Sequence, residues 1–153
     1  MDTLRTEAWL LRGISSIPGE LELREGRVRF TALNAGSAWP WQWRRLEADL
    51  GRPGLARTVE QEGQRAVLFD WPVGEVRYHT PWYHFGGGLR LECADLSLNF
   101  GLGEPTDGPG NRFDPVGEVQ RAAREFRSVG LMRQRGRLWR AALAAAGAQT
   151  DRG

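Results

Sequence analysis

Lysine is missing from this chain: all 21 basic residues are arginine. The bias travels with abundant Gly, Ala and Trp, and it reads as a GC-rich coding composition before it reads as chemistry. Cysteine is nearly missing as well. A lone Cys93 can form neither an internal disulfide nor a cysteine metal cluster, which suits a reducing cytoplasm. No run approaches the roughly 20 apolar residues that span a bilayer. The opening MDTLRTEAWLLRG carries Asp2 and Glu7 and only a short apolar stretch, so no export signal is expected. Histidine is scarce too: His79 and His84 are the only imidazoles available as bases or metal ligands.

What is present suits one soluble domain. A chain of 153 residues can bury a core without disulfides or metals, and 41% hydrophobic with 26% charged residues is ordinary for a globular protein. The net charge of +2 hides an asymmetry. Residues 1–113 hold 13 Arg against 15 acids, a net −2, whereas residues 114–153 hold 8 Arg against 4 acids, a net +4. Such a block attracts nucleic acid, anionic lipid or an acidic partner, and the plain alternative is a solvated helix face.

Strand alternation dominates the first hundred residues. In GELELREGRVRFTAL, Leu21 and Leu23 alternate with glutamates, Glu25-Gly26 makes a turn, and Val28, Phe30 and Ala32 alternate with polar residues. EAWLLRGISSI before it reads as another strand, with the turn between them set at Pro18-Gly19. AVLFDWPVGEVRYH is a strand through Val67, Phe69 and Trp71, cornered at Pro72 and resumed through Val76 and Tyr78. LRLECADLSLNFGL is a hairpin with Leu89, Leu91 and Cys93 on one face and Leu96, Leu98 and Phe100 following. Val67, Phe69, Leu89, Leu91, Leu98 and Phe100 are therefore expected to face the interior.

Between these strands, RYHTPWYHFGGGLRLE invites a catalytic reading. A phosphate loop delivers its glycines into a helix N-terminus, but Gly86, Gly87 and Gly88 run into a strand, so a flexible inter-strand loop is expected instead. His79 and His84 have no obvious third ligand nearby, so no metal is expected. Cys93 shares a face with leucines, where a buried thiol is inert, and no Ser-His-acid set can be assembled. An enzyme is not expected, and neither is a cofactor.

Two helical regions remain. Residues 34–64 read as a helical insert, with Trp43, Leu46 and Leu50 at helical spacing behind Pro40. At the end, Asp114 and Pro115 start a helix whose stripe is Val119, Ala122, Ala123 and Phe126, and Gly130 stops or bends it. Residues 131–153 then read as an amphipathic helical extension, and residues 1–130 as the domain proper.

This order of elements resembles the pleckstrin-homology-like superfold, in particular its GRAM-type and bacterial variants. The resemblance rests on Trp71-Pro72-Val73-Gly74-Glu75-Val76 as an apolar-Pro-apolar-x-acid-apolar strand end, on the hairpin Leu89 to Leu102, and on GELELREGRVRF as second and third strands. It covers roughly residues 8–130. It implies a mainly β fold with α, an antiparallel barrel or sandwich of about seven strands capped by a C-terminal helix, in a family that mostly binds lipids, peptides or proteins and rarely catalyses. The long helical insert and the arginine-rich end depart from the pattern. Only Arg12 lies near ISSIPGE, so phosphoinositide binding is not expected.

The functional expectation is a cytoplasmic, non-enzymatic binding module or adaptor with a protein partner or a second copy of itself. Two surfaces carry it. Trp39, Trp41 and Arg44 form a tryptophan-rich stretch of the kind found at interface hot spots. In the C-terminal segment, Leu138, Trp139 and Leu143 are expected as apolar anchors with Arg133, Arg137 and Arg140 as their rim. The alternative is an anionic membrane surface, which tryptophan and arginine on an amphipathic helix both favour. Nucleic acid is not an expected partner, because the arginine block shows no recognition helix or stacking motif.

Overall fold

The computed structural model describes residues 3–60, 63–80, 88–103 and 115–150, with side chains throughout except at 115–129. Period-two alternation builds the first three strands, β1 (Leu4–Arg12), β2 (Ser15–Arg24) and β3 (Arg27–Ala32), as an antiparallel meander. Ala8, Leu10, Ile17, Leu21, Leu23, Val28 and Phe30 point inward from it.

The first turn is not where the sequence suggested. Gly13 and Ile14 form it, with Gly13 at φ +63°, and Pro18-Gly19 lies inside β2 opposite Trp9 and Ala8. Pro18 is tolerated because its carbonyl accepts from Leu33 N–H just past the end of β3, so its missing donor faces the finish of that ladder and not β1. Gly19 serves packing rather than turning. A Cβ there would overlap the Phe30 ring and the Thr31 carbonyl.

Beyond an insert of two helices, α1 (Pro40–Leu50) and α2 (Leu55–Glu60), the chain returns as β4 (Ala66–Pro72). Pro72 ends that strand, a single 3-10 turn at Val73–Glu75 makes the expected corner, and β5 (Val76–His79) follows. The hairpin of β6 (Gly88–Cys93) and β7 (Leu96–Gly101) forms as expected, burying Leu89, Leu91, Leu98 and Phe100. The inward set differs at one place. β4 pairs Phe30 with Phe69 but Thr31 with Val67, so a bulge buries Leu68 as well as Phe69 and leaves Val67 half-buried.

The strands form one eight-stranded sheet in the order β4-β3-β2-β1-β7-β6-β5-β8. The aromatic core shows how strongly it curls. Phe30 on β3 and Phe100 on β7 are three strand spacings apart, roughly 14 Å in a flat sheet, yet their ring centroids lie 5.0 Å apart. Phe69 on β4 reaches the same Phe100 ring at 6.0 Å. Among the described residues the ends of the order do not pair, so the sheet wraps its core without closing into a barrel. Arg52 Nη1 donates to the Val67 carbonyl at 2.6 Å and so covers part of the β4 edge.

The C-terminal segment departs most from expectation. Helix α3 runs unbroken from Pro115 to Ala146, straight through Gly130. A mid-helix glycine costs about 1 kcal/mol, and burying Trp139 and Leu143, each 0% exposed, offsets it by roughly 2–3 kcal/mol apiece. Both side chains join the same hydrophobic cluster as the sheet and the insert. Trp139 Nε1 donates to Thr6 Oγ1 of β1 at 3.0 Å, and Arg135 Nη1 donates to the Leu102 carbonyl at 3.0 Å. After the helix, β8 (Gln149–Thr150) pairs in parallel with Arg77 and Tyr78 of β5, a strand without sequence signal. Trp139 and Leu143 thus seat this part of α3 on the core, while Leu131 and Leu138 stay exposed.

Candidate functional site

One end of the molecule gathers the tryptophan-rich stretch and the first hairpin. Local chemistry places them together. Asn34 Oδ1 accepts from Gly36 N–H at 2.7 Å, and Gly36, at φ +62°, lets the loop pass so close to β2 that a side chain there would overlap the Ser16 carbonyl. Ser37 then joins the start of β2: its N–H donates to the Ser16 carbonyl at 3.0 Å, and its Oγ accepts from Ser16 N–H at 2.9 Å. Pro40 sits in the first turn of α1, where its missing donor costs nothing.

Gln42 locks the arrangement. Buried to 8% exposure, its Oε1 accepts from Trp39 N–H at 2.8 Å while its Nε2 donates to the Arg12 carbonyl at 3.0 Å. A single amide thus fastens the start of α1 to the end of β1. Trp43 turns inward, fully buried, with Nε1 donating to the Ala35 carbonyl at 3.2 Å. Trp39 and Trp41 turn outward, 60% and 56% exposed, and Ile14 at the hairpin tip is 103% exposed. A cleft of about 350 Å³ between hairpin and helix is lined by Leu11, Arg12, Trp41, Gln42, Arg45 and Asp49 among others.

Electrostatics mark the same end. On the outer face of the sheet, arginines are spent on acids: Arg5 meets Glu20 and Glu22, Arg27 and Arg29 share Asp70, and Arg77 meets Glu92. Among the described residues Arg12, Arg44 and Arg45 have no such ion pair. Burial pushes the Arg12 guanidinium below the usual arginine range; Asp49 opposes that shift and Arg45 adds to it. Arginine remains charged regardless at neutral pH. The result is a set of exposed apolar side chains on the hairpin and α1 with Arg12, Arg44 and Arg45 beside them and Asp49 acting on Arg12.

Of the residues the sequence singled out, Trp39, Trp41 and Arg44 are therefore together on the surface. The C-terminal set is split. Leu138 is 52% exposed and Arg133 and Arg137 are exposed, but Trp139 and Leu143 are core side chains and not surface anchors, because the helix turns about 100° per residue and carries them round to the buried face. Arg140 is half-buried, its Nε donating to the Gly136 carbonyl at 3.4 Å. Ile14, Gln42 and Arg45 escaped the sequence reading, which noted Arg12 only as the one basic residue near ISSIPGE. Setting the turn at Pro18-Gly19 hid Ile14 as a tip, and nothing in the pattern brings Arg12 to residues thirty positions on.

The features that invited a catalytic reading are only partly among the described residues. Gly88 opens β6 and feeds a strand, and His79 closes β5 opposite Arg90; His84, Gly86 and Gly87 lie outside the described residues. Cys93 is half-buried, and burial first, then Glu75, pushes its thiol above the ordinary range. Among the described residues no three His, Cys, Asp or Glu side chains gather as a metal site, and no helix is long and apolar enough to cross a membrane. No protein-family model matches this chain, and neither a curated protein nor a solved structure matches it.

Proposed function

We propose that the chain is a non-enzymatic binding module that engages a protein partner through Ile14, Trp39 and Trp41, flanked by Arg12, Arg44 and Arg45. The observation that carries this reading is the convergence of three large exposed apolar side chains at one end, held there by the buried amide of Gln42. Covering two half-exposed tryptophans and an isoleucine removes roughly 350 Å² of apolar surface from water, about 9 kcal/mol gross before the entropic cost of association. That is enough to anchor a reversible complex, and tryptophan with arginine is the composition of interface hot spots. Seven antiparallel strands followed by a core-seated helix support the pleckstrin-homology-like reading; β8 and the length of α3 depart from it. The reading includes a cytoplasmic setting and no cofactor or nucleic-acid ligand.

Affinity capture from the source cells tests it, comparing the native chain with an Ile14→Ser, Trp39→Ala, Trp41→Ala variant. A partner held by the native chain and lost by an equally stable variant supports the site. A partner held equally by both rules it out. A membrane surface is the second reading, favoured by Ile14 projecting fully from a two-residue tip whose Gly13 lines one cleft with Trp41, Arg12 and Arg45. Pelleting with anionic but not neutral vesicles, abolished by the same variant, selects it.

A further inference from the structure

Helix α3 presents a second, separate surface. Leu131, Gln134, Leu138, Ala141 and Ala145 are all exposed and recur at alternating steps of three and four, the spacing of a coiled-coil seam. They are turned away from Trp139 and Leu143, and packing among the described residues leaves them exposed. Leu131 and Leu138 are the large members, 47% and 52% exposed. Beside the stripe runs a groove of about 420 Å³, walled on one side by Leu138, Ala142, Ala145 and Ala146 and on the other by Leu4 and Leu23 of the sheet. The small alanines let a neighbouring backbone approach closely.

Charge decides what fits there. Arg133 and Arg137 border the stripe on its outer side, and no Asp or Glu occurs anywhere from Phe126 to Thr150. Glu25, across the groove, already lies 3.7 Å from Arg24. A second copy seated here would bring two such seams together with arginine facing arginine and no acid between Phe126 and Thr150 of either copy, which disfavours self-pairing. An amphipathic helix with leucine or alanine on one face and glutamate beside it satisfies both the seam and the rim.

The geometry points to this groove as a docking site for an acidic amphipathic helix of a partner protein. From Leu131 to Ala145 the seam spans about 21 Å, which a helix of roughly three heptads covers with margin. Leu138 is the central apolar contact, and Arg137 supplies the charge that selects an acidic occupant over a basic one.

The probe is a synthetic, fluorescently labelled helical peptide about three heptads long, with leucine at the seam and glutamate beside it; its control carries lysine in place of glutamate. Fluorescence anisotropy at low and high salt reads binding to the full chain. The acidic peptide is expected to bind and to weaken with salt, and the lysine peptide is not. Leu138→Asp, at an exposed position and with an unchanged melting transition, is expected to abolish binding, and Arg137→Glu to weaken the acidic peptide about tenfold or more. Failure of the acidic peptide to bind, equal binding of both peptides, or indifference to Leu138→Asp overturns the site. So does sedimentation showing a dimer of the chain that Leu138→Asp disperses, or anionic vesicles taking the groove in place of the peptide.

Discussion

Trp139 and Leu138 are neighbours on one helix with opposite fates, and replacing each by alanine separates core from surface. Trp139 is fully buried and donates to Thr6, so Trp139→Ala removes a large ring and leaves a cavity, at a cost of about 3–5 kcal/mol. Domains of this kind are stable by about 5–15 kcal/mol in total, so the loss is a large fraction. Leu138→Ala trims an exposed side chain and is expected to change stability by about 0.5 kcal/mol or less. In urea, with a slope of about 2 kcal/mol per molar, the Trp139 variant should unfold about 2 M earlier while the Leu138 variant stays near the native midpoint. Trp139→Phe keeps most of the burial but loses the hydrogen bond to the half-buried Thr6 hydroxyl, a smaller loss of about 1 kcal/mol. Truncation after Gly130 removes Trp139 and Leu143 together and should abolish the cooperative transition. A Trp139→Ala variant within about 1 kcal/mol of the native protein, or a Leu138→Ala variant that costs as much, would refute the placement of α3 in the core.

Three further outcomes follow from the sheet. Gly19→Ala forces a methyl into the Phe30 ring and the Thr31 carbonyl, and chemical denaturation should show a loss of about 3 kcal/mol or more. Ala94 holds φ +53° in the β6–β7 turn, so Ala94→Gly should relieve left-handed strain and raise stability by about 0.5–1 kcal/mol in a thermal melt. Burial alone would raise the Asp70 carboxyl, but hydrogen bonds and charge from Arg27 and Arg29 outweigh it and hold its pKa below the ordinary value. A carboxyl depressed in the folded state contributes stability above its unfolded pKa of about 3.9 and loses it as pH falls through the lower folded value. Asp70→Asn should therefore destabilise the protein near neutral pH, and the gap between variant and native midpoints should narrow below about pH 4; a gap that is constant with pH would contradict the pairing.

Period-two alternation alone identified most strands, because a half-buried sheet imposes it residue by residue: the hairpins about Glu25-Gly26 and Ala94-Asp95, the corner at Pro72 and the inward leucines of β6 and β7 were all legible. So was the helical insert, whose Trp43 and Leu46 follow a local period. Legibility ended where a residue's role depends on something distant in the chain. Pro18-Gly19 reads as a turn from composition, yet Gly19 is required because the Phe30 ring lies over it. Gly130 reads as a helix stop, yet burial of Trp139 against Thr6, more than a hundred residues away, carries the helix through. The sequence by itself determined which segments alternate, where apolar side chains are concentrated and that arginine crowds the C-terminal end. Only the tertiary structure decided which tryptophans face water, which described arginines form ion pairs, and which leucines of α3 stay exposed, because burial and ion pairing are settled by strands that meet only after the sheet has curled.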